Sequence, residues 1–249
     1  MWWPMGKFFF NATEIMGERV IITGQTAHHM LHVLRFREGQ GVILCDGASM
    51  DYPATLHKIS DKPATLTFQL GPQAASRAEP PFHITLYQGI AKGEKMDWII
   101  EKCIEVGVCK IVPVITARTV VKIKDATKKA ERYTRIAESA AGQSMRGAIP
   151  VISPPVSLAE ALAGHTATHS LVAYEGERTT TIKAALQNKI PASISIWVGP
   201  EGGFEESEVT NIASTINATP VTLGPRILRT ETSGIVAIST IHCTWEGQA

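Results

Sequence analysis

The sequence predicts an α/β protein in which a mostly parallel sheet domain follows a small domain of β-strands. Short strands and tight turns fill residues 7–70, whereas strands and helices alternate from Ile84 onward. Near the C-terminus, two short apolar strands each run into a Gly-Pro loop. Alternating strands and helices are typical of a parallel sheet, because each parallel connection has to cross the sheet.

The N-terminal part consists mainly of predicted strands. The apolar run Val42–Cys45 ends at the turn signal Asp46-Gly47, and residues 64–70 alternate between apolar and polar types. Residues 52–59 alternate in part, and residues 26–34 are expected to form a short helix. This combination is typical of a small β-barrel.

The domain boundary is predicted near residue 72. Residues 71–81 contain three prolines and no periodic apolar pattern, which is typical of a linker. We therefore expect an N-terminal domain over residues 1–72 and a second domain over residues 73–249.

The second domain is predicted to alternate strands with helices. Its predicted strands are the short apolar runs 84–87, 110–114, 171–174, 194–198 and 221–223. Helices are predicted over 97–106, from 125 to about 141, and after each Gly-Pro loop.

The two Gly-Pro loops are the strongest functional signal. The first reads Gly-Pro-Glu-Gly-Gly-Phe over residues 199–204, and the second begins at Gly224-Pro225. Two glycine-rich loops at the same ends of neighbouring strands are how open α/β sheets build a ligand site. The alternative is that the glycines only make tight turns.

The charge of the first loop narrows the ligand class. A phosphate-binding loop usually carries a lysine, as in the GxxxxGK[ST] pattern, whereas this loop carries Glu201 and is followed by Glu205 and Glu206. A neutral or cationic ligand with hydroxyls and ring nitrogens suits such a loop better than a pyrophosphate. S-adenosylmethionine, a phosphate-free sulfonium, fits this description.

These motifs resemble the bacterial 16S ribosomal RNA (uracil-N3)-methyltransferases, which belong to the trefoil-knotted SPOUT class. The most specific segment reads Leu-Gly-Pro-Arg-Ile-Leu-Arg-Thr-Glu-Thr over residues 223–232. The resemblance covers nearly the whole chain; its other segments are 28–35 with 46–47, 92–97, 102–108, 138–150 and 199–204. The sequence departs from the family pattern at Lys7, Gly142 and residues 117–119.

The resemblance implies a PUA-like, RNA-binding first domain, a knotted second domain, S-adenosylmethionine as cofactor, and a homodimer paired through C-terminal helices. It implies catalytic roles for Arg229, which would stabilise the uracil oxyanion, and Glu231, a candidate base. The alternative is that Arg229 pairs with Glu231 or Glu201 to fix the loop. The expected cofactor-binding residues are Tyr174, Glu175, Val198, Gly199, Pro200, Glu201, Gly202, Gly203, Leu223, Gly224, Pro225, Arg226, Ile227 and Leu228.

A net charge of only +1 means that any RNA-binding surface has to be local. Basic residues cluster in the predicted helix after Asp125, in the preceding Lys122 and Lys124, and in the N-terminal domain. The alternative for the helix is a solvated outer face. The candidate RNA-binding residues are Lys7, Arg19, Arg35, Lys128, Lys129, Arg132, Gln143 and Arg146.

Composition is consistent with a globular protein of the cytoplasm. Hydrophobic residues make up 44% of the chain and charged residues 19%, which excludes a disordered chain. No apolar run approaches the roughly 18 residues of a membrane span, and the start lacks the pattern of a signal peptide. The four cysteines are widely spaced, which argues against a disulfide scaffold or zinc site. His28 and His32 lie one helical turn apart but lack a predicted third ligand, so no metal is expected.

Two other functions stay open at this point. One is an RNA-binding ribosome-assembly factor without catalysis, although such a protein would not need a cofactor pocket. The other is an enzyme of the same fold that modifies a different nucleotide, for example at a ribose 2′-hydroxyl.

Overall fold

The computed structural model describes residues 7–11, 14–121, 125–186 and 191–245. Its contacts divide the chain into two compact units: residues 1–79 with 138–149, and residues 80–137 with 150–249. The N-terminal stretch of the first unit thus ends at Glu79, within the predicted linker. The unit also includes residues 138–149, from the middle of the chain.

The first unit is built on one mixed sheet, with seven strands among the described residues, in the order β1-β4-β5-β6-β3-β2 with β7 beside β5. Among the described strands of this sheet, only β1 and β4 pair in parallel. A core of apolar side chains lies against this sheet, including Leu44, Leu56 and Phe68. The elements are β1 Lys7–Phe9, β2 Ile15–Met16, β3 Arg19–Ile22, α1 Gly24–His28, β4 Gly41–Cys45, β5 Met50–Asp61, β6 Ala64–Leu70 and β7 Ala74–Ala75.

The predicted short helix over residues 26–34 has an unexpected form. The α-helix α1 ends at His28 and continues as a π-helical turn, His29–Val33. Its buried residues are Ala27 and Met30, which pack on the sheet, while His29, His32 and Val33 are exposed.

The second unit is a parallel sheet with helices. Its strand order is β10-β9-β8-β13-β12-β14, with β11 beside β9, and every pairing is parallel. The elements are β8 His83–Gly89, α2 Lys95–Glu105, β9 Lys110–Ile115, α3 Ala126–Gln143, β10 Val151–Ile152, β11 Val156–Ser157, α4 Leu158–Ala163, β12 His169–Ala173, α5 Ile182–Leu186, β13 Ser193–Val198, α6 Glu206–Ile216, β14 Thr219–Val221 and α7 Thr230–Trp245. The last residues of α3 belong to the first unit.

The chain order in this sheet brings the two Gly-Pro loops together. Strand β13 lies between β8 and β12, and β14 lies on the other side of β12. Because parallel strands end at the same edge, the segments that follow β12, β13 and β14 meet there. Helix α7 then contacts α2, α5, β8 and β13, whereas α6 contacts β12 and β14.

Candidate functional site

A cleft opens at the carboxyl ends of β12, β13 and β14. It contains about 840 Å³ of empty space, counting the part open to solvent. It is lined by Ala173, Tyr174, Glu175, Arg178, Val198, Gly199, Pro200, Glu201, Gly203, Phe204, Thr222, Leu223, Gly224, Arg226, Ile227, Leu228, Thr230 and Ser233.

The first loop requires its glycines because other backbone lies against it. A Cβ on Gly199 would lie 2.8 Å from the amide nitrogen of Phe204, and Gly203 has a φ of +70°. Gly89 at the end of β8 is equally confined, since its Cβ would lie 2.4 Å from the nitrogen of Pro200. These contacts keep side chains out of the loop and leave its backbone groups to face a ligand.

Two neighbouring segments hold the first loop in place. The Arg118 guanidinium donates to the Gly202 carbonyl at 2.7 Å. The Glu201 carboxylate accepts from the backbone N–H of Lys92 at 3.0 Å and from the Lys95 ammonium at 3.2 Å. Burial raises the pKa of Glu201, but these hydrogen bonds outweigh it and hold the pKa below its ordinary value. Glu201 is therefore an ionised loop anchor.

The segment after β12 forms a third wall of the cleft. Glu177 accepts hydrogen bonds from the backbone N–H groups of Thr179 and Thr180 at 2.7 and 2.9 Å. These bonds lower its pKa to about 2, so the carboxylate stays ionised and keeps the turn closed. The turn places Glu175 and Arg178 on the lining.

A buried polar network connects the two loops from beneath. The side-chain amide of Gln88 donates to the Gly199 carbonyl at 3.3 Å and to the Thr230 hydroxyl at 3.0 Å. The Thr230 hydroxyl in turn donates to the Gly199 carbonyl at 2.7 Å. Gln88 is wholly buried and Thr230 nearly so.

The two predicted catalytic residues lie beside the cleft rather than in its lining. Arg229 stands between Leu228 and Thr230, with its side chain 84% exposed. Its guanidinium is 4.0 Å from a carboxylate oxygen of Glu231, and the Glu231 side chain is 18% exposed. The other carboxylate oxygen of Glu231 is buried and has no hydrogen-bond partner among the described residues. Glu201 pairs with Lys95 and not with Arg229.

The cleft brings together all of the predicted cofactor residues except Gly202 and Pro225. Gly202 still helps to hold the first loop in place, because its carbonyl accepts the hydrogen bond from the Arg118 guanidinium. Sequence reasoning missed the lining residues Ala173, Arg178, Phe204, Thr222, Thr230 and Ser233. Ala173 and Phe204 are sequence neighbours of predicted residues, so including one more residue beside each predicted segment would have found them.

The predicted RNA-binding residues separate into two groups. Arg19, Arg35, Lys128, Arg132 and Gln143 are exposed, and Lys129 is half-buried. Arg132 pairs with Asp97 on the surface. Lys122 and Lys124 lie outside the described residues. The exposed group is available to a phosphate backbone.

Lys7 and Arg146 require a correction, because both cations are buried. The Lys7 ammonium lies 2.7 Å from Asp51 with a side chain only 1% exposed. Arg146 lies 2.7 Å from Glu79 with a side chain 3% exposed. In this structure their charges are neutralised within the first unit, so they serve its folding rather than a surface contact with RNA.

Gly142, a departure from the family pattern, has a steric explanation in the same unit. A Cβ at this position would lie 2.6 Å from the Lys7 carbonyl oxygen. The backbone at Lys7 therefore leaves no room for a glutamate side chain.

Two histidines of the first unit, His28 and His32, lie near one acidic side chain. The His28 and His32 rings lie 4.4 Å apart, and His32 is 3.3 Å from Asp61, a partner from β5 that the sequence did not indicate. Across the described residues, no group of three or more histidines, cysteines or carboxylates is arranged to hold a metal ion. Nor does any helix in the described parts of the chain have the length and apolarity needed to cross a bilayer.

Comparison with known proteins identifies the class. Residues 78–242 match the family model of an RNA methyltransferase domain, and residues 22–69 match that of an RNA methyltransferase PUA domain. The fold is thus that of an RNA methyltransferase. The predicted α/β fold class, a SPOUT-type parallel-sheet domain after a PUA-like domain, is confirmed.

Full-length relatives define the family more narrowly. The Bacillus subtilis (strain 168) protein named ribosomal RNA small subunit methyltransferase E is 35% identical, over 95% of this chain and 96% of its own length. A crystal structure of the Neisseria gonorrhoeae protein of that name, bound to S-adenosyl methionine, has a TM-score of 0.86 and 31% identity over 97% of this chain and 98% of that one. A methyltransferase structure from Legionella pneumophila with bound SAM has a TM-score of 0.86 and 28% identity, over 96% of this chain and 97% of that one. The chain belongs to the ribosomal RNA small subunit methyltransferase E family.

Proposed function

We propose that the chain transfers the methyl group of S-adenosylmethionine to N3 of a specific uridine in 16S ribosomal RNA of the small subunit. The observation that carries this proposal is the cleft, whose lining joins both Gly-Pro loops at one sheet edge. Membership of the family and the cofactor held by two solved relatives support the same cofactor here. The acidic Glu175 and Glu201 on the lining suit a sulfonium better than a phosphate.

The reaction needs a proton acceptor and a group that stabilises negative charge. Uridine N3 carries a proton and is not nucleophilic until that proton leaves. N3 then attacks the sulfonium methyl carbon in line, the S–CH₃ bond breaks, and the sulfur becomes a neutral thioether. In this proposal Glu231 accepts the proton and Arg229 stabilises the oxyanion of the ring. The unpartnered oxygen of Glu231 and the exposed guanidinium of Arg229 support these roles.

The RNA is proposed to bind the exposed basic residues of both units. These side chains would contact phosphates, which give affinity without sequence information. They are Arg19, Arg35, Lys128, Lys129 and Arg132, with Gln143 at the end of α3. Since the substrate is part of the ribosome, the expected compartment is the cytoplasm.

A homodimer is proposed through α7. Its residues Ala237, Ile238 and Ile241 are buried within the unit, whereas Ile235 and Val236 are only half-buried. A helix that is apolar on more than one side has surface left to pair with a second chain. Light scattering at micromolar concentration should give the mass of two chains, and a monomer would contradict this part of the proposal.

The function is tested by a methyl-transfer assay. Purified protein is incubated with labelled S-adenosylmethionine and with small subunits that lack their own uridine N3 methylation, and the digested RNA is analysed by mass spectrometry. New 3-methyluridine supports the proposal. A different methylated nucleoside would retain the cofactor and overturn the substrate, and binding of the subunit without methylation would favour an assembly factor.

A further inference from the structure

A buried glutamine stands where the two cofactor loops meet. Gln88 is the penultimate residue of β8, a strand whose sheet neighbours are β9 and β13. Its side chain is wholly buried, and its amide nitrogen lies within 3.3 Å of three acceptors: the carbonyls of Gly89 and Gly199 and the hydroxyl of Thr230. The amide therefore acts as a donor to groups that belong to three different segments.

The positions of these acceptors show which segments the network connects. Gly199 is the first residue after β13 and begins the first loop, while Thr230 begins α7 immediately after the second loop. The hydroxyl of Thr230 accepts from Gln88 and donates to Gly199, so one side chain closes a triangle between β8 and the two loops. Both Gly199 and Thr230 line the cleft, whereas Gln88 lies behind it.

The cost of this arrangement argues against simple core packing. The carbonyl oxygen of Gln88 is buried and has no hydrogen-bond partner among the described residues. An unpaired buried acceptor is unfavourable, and an apolar side chain of the same shape avoids that cost. A glutamine at this position is therefore explained better by what its amide nitrogen holds than by the volume it fills.

We propose that Gln88 and Thr230 are positioning residues that act as one unit and set the separation of the two loops before S-adenosylmethionine binds. The inference rests on the proposed use of that cofactor in this cleft. Loops already held in the bound arrangement lose less conformational freedom on binding, which increases affinity without any new contact to the ligand. The network is neutral, so it fixes the loops without adding charge beside a sulfonium.

The test compares cofactor affinity in single and double variants. Gln88→Met removes the donor at similar volume, Thr230→Val removes the hydroxyl, and Thr230→Ser retains it. Thr240→Val is the matched control, because the Thr240 hydroxyl lies in the same helix and bonds only to the Val236 carbonyl of that helix at 2.7 Å. Affinity for S-adenosylmethionine is measured by titration calorimetry without RNA, at a temperature far below each variant's Tm.

Each of the two disruptive single variants is expected to weaken cofactor binding about tenfold, as loss of one buried hydrogen-bonded unit implies. The double variant should bind about as weakly as either single variant, because each change already breaks the unit. Thr240→Val should bind like the wild type, and Thr230→Ser, which retains the hydroxyl, should recover most of the affinity that Thr230→Val loses. In turnover assays, KM for the cofactor should rise while KM for the RNA substrate stays unchanged.

Several results would overturn the inference. They are unchanged affinity in Gln88→Met and Thr230→Val, losses that multiply in the double variant, or an equal loss in Thr240→Val. If Gln88→Met does not fold, Gln88→Asn, which keeps the amide but withdraws it by one methylene, supplies the same comparison. A wild-type chain that fails to bind the cofactor would contradict the proposed function, whereas binding that the variants leave unchanged contradicts only the role of Gln88 and Thr230.

Discussion

The two units of the molecule use polar groups in opposite ways. The first unit fixes its segments with buried ion pairs, Lys7 with Asp51 and Arg146 with Glu79. Beneath the cleft, the second unit joins its cofactor loops with neutral buried groups, Gln88 and the Thr230 hydroxyl, whereas the charged anchors of the first loop, Arg118 and Glu201, are exposed. A buried ion pair is costly to break because the remaining charge has no partner. A neutral network instead adds no charge of its own, so the ligand and the catalytic groups determine the electrostatic field in the cleft.

The largest expected effect is on the stability of the first unit. Arg146→Ala leaves the partly buried Glu79 carboxylate without its cation and should lower the free energy of unfolding by about 3–5 kcal/mol. Arg132→Ala is the control, because its pair with Asp97 lies on the surface and is worth at most about 1 kcal/mol. Urea denaturation followed by circular dichroism measures both, and equal losses would remove the contrast between buried and exposed pairs.

The same pair predicts sensitivity to acid. Burial raises the pKa of Glu79, but the hydrogen bond and charge of Arg146 and the N–H groups of Ala148 and Gly147 hold it below its ordinary value of 4.5. A carboxyl whose pKa is lowered by folding contributes stability above its unfolded pKa and loses it as the pH falls through the folded one. Stability below about pH 4.5 should therefore fall more steeply in the wild type than in Arg146→Ala.

The next effect concerns catalysis in the second unit. Arg229→Ala should lower kcat by about 10²–10³-fold, the loss typical of one oxyanion-stabilising donor, while cofactor affinity stays close to that of the wild type. Arg229→Lys keeps the charge but not the planar donor pair, and it should recover part of the rate. Equal losses of kcat and cofactor affinity would instead indicate a structural role for Arg229.

A smaller effect is expected for each surface cation. Binding of RNA should weaken steeply between about 50 and 200 mM salt, and Lys128→Gln should reduce the slope of log affinity against log salt by about one. Lys102→Gln is a suitable control, because Lys102 is engaged with Glu101 and Glu105. A flat response of the wild type to salt would contradict phosphate binding by these residues.

The smallest effect is expected at His165, where the second unit holds a titratable group in a neutral network. Its Nε2 lies 3.0 Å from the hydroxyls of both Ser170 and Ser195. Burial lowers its pKa below the ordinary 6.5, so the unfolded chain binds the proton more readily and stability falls as the pH drops below 6.5. His165→Gln should flatten this part of the stability profile, and an unchanged slope in urea denaturation at several pH values would show that His165 is not its source.

Sequence patterns predicted the parallel sheet well, because its strands are short apolar runs with turns at both ends. The predicted strand 194–198 appears as β13, Ser193–Val198, and the predicted strand 84–87 lies within β8, His83–Gly89. The prediction for 221–223 was displaced: β14 covers Thr219–Val221, since Thr222 and Leu223 already belong to the cleft lining. The π-helical turn was not predicted, because an extra residue in a helical turn barely changes apolar spacing over so short a segment.

Side-chain partners far apart in the chain account for most of what the sequence did not predict. In the sequence, a lysine or arginine that contacts RNA looks the same as one that pairs with a buried carboxylate. Lys7 and Arg146 find their acidic partners 44 and 67 residues away. Gln88 forms hydrogen bonds with Gly199 and Thr230, which lie 111 and 142 residues further along the chain. No local sequence pattern distinguishes this glutamine from others.

The contact between Gln88, Gly199 and Thr230 also has a consequence for synthesis of the chain. Thr230 is synthesised 142 residues after Gln88. Contacts between residues so far apart in sequence are slow to form, and here one partner does not exist until the ribosome has passed the second loop. A nascent chain halted before Thr230 lacks the hydroxyl that joins the loops, so full cofactor affinity is expected only after Thr230 has been added.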